Sequence, residues 1–106
     1  MSGPCKVGTT ADLAPGAVKT VEVDGRTLAL FRLGDRYYAL DNKCTHWDGP
    51  LGEGFVEGDR ITCPWHGAQF QIETGVVCRA PARRDVRRYP VRVEGSDLLV
   101  DLDPVV

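Results

Sequence analysis

Two short stretches constrain this chain more than any others: Cys44-Thr45-His46 and Cys63-Pro64-Trp65-His66. Each puts a soft thiolate and an imidazole into one tight loop, and sixteen residues separate His46 from Cys63. A fold that uses all four groups must bring two loops to one point. Two sulfur and two nitrogen donors suit a 2Fe–2S cluster in which one iron keeps two cysteines and the other takes two histidines. The candidate ligands are therefore Cys44, His46, Cys63 and His66, and the implied cofactor is one such cluster. With neutral histidines the oxidised site is formally neutral. All-cysteine ligation would make it two units more negative, so the mixed set raises the reduction potential.

A structural zinc site is the competing reading, since tetrahedral zinc accepts the same donors. Zinc fingers pair cysteine with cysteine and histidine with histidine, whereas each clip here mixes the two. The glycines near the clips (Gly49, Gly52, Gly54, Gly67) can bring backbone N–H groups close to the sulfurs, and Pro50 and Pro64 stiffen the loops.

The flanking sequence is that of short strands. Val18 to Val23 and Arg26 to Leu33 alternate around Asp24-Gly25, a strong hairpin turn. Gly34-Asp35 leads into Arg36 to Leu40. Asp12 to Gly16 reads as a turn or one short helical turn, because Pro15 and Gly16 block extension. From Asp41 to Gly54 the strand pattern stops in a shaped loop. Arg60 to Cys63 and Gln69 to Ile72 are short strands, with a turn at Thr74-Gly75. Tyr89 to Glu94 and Leu98 to Leu102 form a final hairpin around Gly95-Ser96. No segment supports an amphipathic helix of three turns. The expectation is one all-β domain over 1–106, with cluster-binding loops at about 42–70 inserted in a β base.

The bulk numbers narrow the function. With 42% apolar and 26% charged residues, the 106-residue chain has the composition of a soluble globular domain. A net charge of −2 gives no reason to expect nucleic acid as a partner. No apolar run reaches membrane-spanning length, and the polar start Met1 to Lys6 does not resemble a secretory signal. The expected compartment is the cytoplasm, and the expected state is a monomer. Cys5 and Cys78 read as small, partly buried thiols outside the site. No second metal site, dinucleotide fingerprint or phosphate loop is present, so the chain reads as an electron carrier rather than an enzyme.

Taken together, C-x-H, sixteen residues and C-x-x-H resemble the Rieske family. The run Cys63 to Phe70, with Thr74-Gly75, Ala80-Pro81 and Tyr89-Pro90-Val91 beyond it, is similar to ferredoxin components of bacterial aromatic-ring-hydroxylating oxygenase systems. The resemblance spans nearly the whole chain. It implies an antiparallel β-sandwich with a two-loop cluster-binding subdomain whose histidine edges face solvent. It implies two partners, a flavin-dependent, NAD(P)H-oxidising ferredoxin reductase and a terminal Rieske oxygenase. The small Rieske-like subunit of an assimilatory nitrite reductase is the alternative within the family.

Respiratory Rieske proteins carry a loop disulfide and two hydroxyl groups beside the cluster. The matching positions here look like Gly49 and Trp65 for the disulfide, and Ala68 and Phe70 for the hydroxyls. Their absence implies a low potential, on the order of −150 mV, with little pH dependence near neutrality. Trp47 and Trp65, beside the ligands, either shield the site, form a docking surface or simply pack the tip. Arg79, Arg83, Arg84, Arg87 and Arg88 form a basic run that is either a solvated edge or a docking patch. Asp48, Glu53, Glu57 and Asp59 are its acidic counterpart near the first loop.

Overall fold

The computed structural model describes residues 4–43, 50–65, 67–80 and 84–102. Its second hairpin partner is the residue run that alternation explains least well. Leu28, Ala29, Leu30 and Phe31 are all buried. Period-two alternation would expose every other one. The run is apolar on both faces because its strand, β3 (Arg26–Leu33), lies in a middle sheet covered on both sides.

That sheet holds β2 (Val18–Val23), β3, β4 (Arg36–Asp41) and β9 (Arg88–Tyr89), in that order. Leu28, Leu30 and Ala39 point to one side. They pack with Leu98, Val100 and Leu102 from an outer sheet, ordered β1 (Pro4–Thr9), β11 (Asp97–Asp101), β10 (Val91–Glu94). Ala29, Phe31 and Leu40 point to the other side. They pack with Leu51, Ile61, Phe70 and Ile72 beneath a third sheet. This sheet runs β5 (Phe55–Glu57), β6 (Arg60–Thr62), β7 (Gln69–Gln71), β8 (Val77–Arg79). All recorded pairings are antiparallel. The all-β antiparallel sandwich expected from the sequence is the observed fold.

Local chemistry explains the registers. Val23 pairs with Arg26 across Asp24 (φ 50) and Gly25 (φ 79), the two positive-φ residues of a tight hairpin turn. Leu33 pairs with Arg36, and Glu94 with Asp97, across the two-residue turns read from the sequence.

The Tyr89–Glu94 strand needs correction. It breaks at Pro90, which has no N–H to give to a ladder. Tyr89 pairs with Ala39 in the middle sheet, while Val91 pairs with Val100 in the outer one. The Pro90 carbonyl accepts the Asp101 amide at 3.0 Å, so the chain steps between layers without losing that acceptor. The loop expected over Asp41 to Gly54 carries one 3-10 turn, Leu51–Glu53, among its described residues. A second 3-10 turn, Thr10–Asp12, begins just ahead of the expected Asp12 to Gly16 turn.

Candidate metal centre

Asn42 forms the neck of the first loop. Its amide donates to the Thr27 carbonyl at 3.1 Å, tying it to β3. Its own carbonyl accepts the Leu51 amide at 2.8 Å, and its side-chain Oδ1 accepts the Gly52 amide at 2.6 Å. Lys43 and Pro50 meet in an antiparallel bridge. The bridge holds Lys43 and Pro50, the described residues on either side of the first clip, next to each other. Gly52 has no space for a side chain, because a Cβ there would run into Thr20 Oγ1 and sit 2.8 Å from Asn42 Oδ1. Cys44, His46, Trp47, Asp48 and Gly49 lie outside the described residues.

The second loop closes as a tight hairpin end. β6 stops at Thr62, and the Cys63 amide donates to the Ala68 carbonyl at 2.8 Å. The Gly67 amide donates back to the Cys63 carbonyl at 3.2 Å. Gln69, nearly buried, donates from Nε2 to Thr62 Oγ1 at 3.1 Å, and Thr62 Oγ1 donates to Glu57 Oε1 at 3.0 Å. That chain laces β7, β6 and β5 together at the end where the loop begins. His66 lies outside the described residues.

The two loop bases touch. A Cβ on Gly54, which follows the 3-10 turn of the first loop, would run into the Thr62 carbonyl oxygen, one residue before Cys63. Leu51 from the first loop and Cys63 from the second belong to one apolar cluster with Ile61, Ala68 and Phe70. The sequence reading missed Asn42 and Thr62, and named Gly54 only as a source of backbone N–H groups rather than as the contact between the loops. The Asp41-Asn42 pair directly after a strand was the available signal, because such side chains cap tight turns.

Cys63 suits an iron centre. It is 3% exposed, in no disulfide, and walled by apolar side chains that keep water away. A soft thiolate in such surroundings is a natural iron ligand. Cys5 is half-buried in β1, paired opposite Val100 in the outer sheet, as expected of a thiol outside the site. Cys78 differs from expectation. It is exposed on β8, with its Sγ facing the Val76 carbonyl at 3.5 Å. Its strand sits at the sheet edge, opposite β7 only, so nothing covers it.

Trp65 is 56% exposed in the second loop. Phe55, 62% exposed, sits at the same end of the third sheet, opposite Thr62 in the ladder. Glu53, Glu57 and Asp59 are exposed around it. Of the basic run, Arg79, Arg84, Arg87 and Arg88 are exposed, and Arg83 lies outside the described residues.

The family description "Rieske [2Fe-2S] domain" matches residues 3–90. The chain belongs to the Rieske family. Members of it carry one 2Fe–2S cluster, so the zinc reading gives way. The Rieske chain is 38% identical over 91 residues to the ferredoxin component of a naphthalene 1,2-dioxygenase system from Pseudomonas aeruginosa, covering 86% of this chain and 88% of that one. It superposes with TM-score 0.90 and 35% identity on the ferredoxin of carbazole 1,9a-dioxygenase from Nocardioides aromaticivorans IC177, covering 94% and 98% of the two chains. A third match comes from a complex of reduced oxygenase and oxidised ferredoxin in carbazole 1,9a-dioxygenase. Its TM-score is 0.91 at 33% identity, covering 97% of this chain and 96% of that one. These relatives are ferredoxin components of dioxygenase systems, and the Rieske chain matches them in fold over most of its length. Among the described residues, no helix is long and apolar enough to cross a membrane.

Proposed function

We propose that Cys44 and Cys63 hold one iron and His46 and His66 the other, in a single domain over 1–106. When bound, the 2Fe–2S cluster supplies storage of one electron. The chain's own residues do the rest. Asn42 and the Cys63–Ala68 hydrogen bond pin the two loops at their bases. Gly54 and Thr62 set those bases side by side. The apolar cluster of Leu51, Ile61, Ala68 and Phe70 excludes water from the inner side. His46 and His66 serve as the exit for the electron, and Trp65, next to His66 in the chain, is exposed.

The protein carries single electrons from an NAD(P)H-dependent flavin reductase to a terminal Rieske oxygenase of aromatic-compound catabolism. It works as a monomer in the cytoplasm, where the exposed thiol of Cys78 suits a reducing medium. The observation that carries this reading is the end-to-end match with ferredoxin components, one of them from a complex with its oxygenase.

Reconstitution tests it. The purified holoprotein should show a rhombic reduced-state EPR signal of low average g. It should also be required, with a reductase and NADH, for turnover of a ring-hydroxylating oxygenase. Turnover that proceeds equally well without it would overturn the assignment. Co-purification with a large sirohaem protein would favour the nitrite reductase alternative instead.

A further inference from the structure

Thr62 is the last residue of β6, and Cys63 follows it directly. It is paired on both sides, with Phe55 of β5 and with Gln69 of β7. Its carbonyl lies against Gly54, where a Cβ would collide with it. Gln69 follows Ala68, whose carbonyl accepts the Cys63 amide at 2.8 Å. Thr62 and Gln69 therefore flank the Cys63–Ala68 hydrogen bond, one on each strand.

The Cys63 side chain packs among Leu51, Ile61, Ala68 and Phe70. Apolar packing is non-directional: it excludes water but fixes no angle. Hydrogen bonds do fix direction, and the side chains of Gln69, Thr62 and Glu57 supply two of them in series. Their chemistry allows one polarity. The Glu57 carboxylate only accepts, so the Thr62 hydroxyl gives its single proton there. The lone pairs of that hydroxyl then face Gln69, which presents its amide nitrogen. The outer bond is charge-assisted and stronger than a neutral one. The inner one is held by a glutamine only 9% exposed, where water competes little. The neighbouring Gln71–Asp59 bond, at 3.3 Å, lies further from the loop and does not touch Thr62. The Gln69–Thr62–Glu57 chain is thus the clasp at the end of the sheet from which Cys63 departs.

We propose that Thr62 and Gln69, anchored by Glu57, are positioning residues for the Cys63 thiolate. The clasp holds the two strand ends at one separation, so the ligand keeps one geometry in the oxidised and the reduced state. The inference rests on the ligand role proposed for Cys63. Groups that support a ligand from behind change metal affinity by about 10–100-fold when they are removed.

The test uses the holoprotein and reads the centre rather than turnover. Thr62→Val keeps the β-branched shape suited to a strand and removes both side-chain bonds. Iron release to a chelator should become about tenfold faster, and the reduced-state EPR lines should broaden as more than one ligand geometry is populated. Thr62→Ser keeps the hydroxyl and should stay within about twofold of wild type. Glu57→Ala changes an exposed side chain without risk to the fold and removes only the outer acceptor, so release should rise about threefold. Val100→Ala is the control: it is buried in the outer sheet, away from the clasp, and should lower the denaturant midpoint while leaving iron release and EPR lines as in wild type. Release within about twofold of wild type in both Thr62→Val and Glu57→Ala would overturn the positioning role. Equal acceleration in Val100→Ala, or no recovery in Thr62→Ser, would do so as well. A Cys63→Ser protein that keeps its iron would overturn the ligand reading itself, a result read in a different variant.

Discussion

The Cys63 amide donates to the Ala68 carbonyl at 2.8 Å, closing the second loop around four intervening residues. The return bond from Gly67 to the Cys63 carbonyl requires Gly67 at φ +76, a conformation that costs a side chain about 1–2 kcal/mol. Among the described residues, no atom beyond its chain neighbours lies within 4 Å of a Cβ placed there. Gly67→Ala should therefore lose only that backbone cost, and Gly67→Asn less. Gly75 has φ +78, and a Cβ on it would strike the Val86 carbonyl. Gly75→Ala should lose about 2–5 kcal/mol, strain plus overpacking. Denaturant midpoints of the holoproteins check the order; equal losses at 67 and 75 would show that crowding at Val86 counts for nothing.

The cysteines should separate cleanly. Cys63 sits buried at the junction of both loops, while Cys5 lies in the outer sheet and Cys78 on an exposed edge. Cys63→Ser should abolish incorporation of the 2Fe–2S cluster. Cys5→Ser and Cys78→Ser should keep full iron and sulfide content and an unchanged EPR spectrum. Iron loss on changing Cys5 or Cys78 would refute the ligand set.

The hairpins were legible because their turns are local. Asp24-Gly25, Gly34-Asp35 and Gly95-Ser96 each set a register with the residues beside them. The two Cys/His clips stand out in the sequence for the same reason, since each is a run of adjacent residues. Strand β1 was not: it pairs Pro4 with Asp101, and nothing near residue 4 encodes a partner at the far end of the chain. The contact of Gly54 with Thr62 is tertiary in the same sense. The linear basic run is divided between layers of the fold. Arg79 belongs to β8 in the third sheet and Arg88 to β9 in the middle one, while Arg87 joins residues far from it in sequence.

Acid should act on the Thr9–Asp12 turn. The Thr9 amide donates to Asp12 Oδ2 at 2.8 Å, and this bond, aided by Lys19 and Lys6, holds the Asp12 carboxyl below its ordinary value. A depressed folded-state pKa contributes stability above the unfolded value, and the contribution is lost as pH falls through the folded one. Asp12→Asn should thus be less stable than wild type near neutral pH. The difference should shrink as the medium is acidified below the normal carboxylate range. Thermal midpoints against pH would show it; a gap independent of pH would assign the loss to geometry rather than charge.

Ala68 and Phe70 are the positions that the sequence resemblance matches to the two hydroxyl groups of respiratory Rieske proteins, and both side chains are fully buried against the Cys63 loop. A hydroxyl added at either place has little protein around it to bond, so a sulfur acceptor is the favourable outlet. A hydrogen bond to a charged acceptor contributes about 1.5–3 kcal/mol, and it is strongest in the reduced, more negative state. Only the part by which the bond is stronger in the reduced state moves the potential, so Ala68→Ser should raise it by at most roughly 60–130 mV, a one-electron couple shifting about 59 mV for each tenfold change. Phe70→Tyr should shift it in the same direction. Protein-film voltammetry reads the shift, and unfolding of the same samples reads its cost. A buried hydroxyl that finds no acceptor would instead destabilise the fold by about 1–3 kcal/mol and leave the potential unmoved. That pair of results would show that the missing hydroxyls do not tune the potential of this protein.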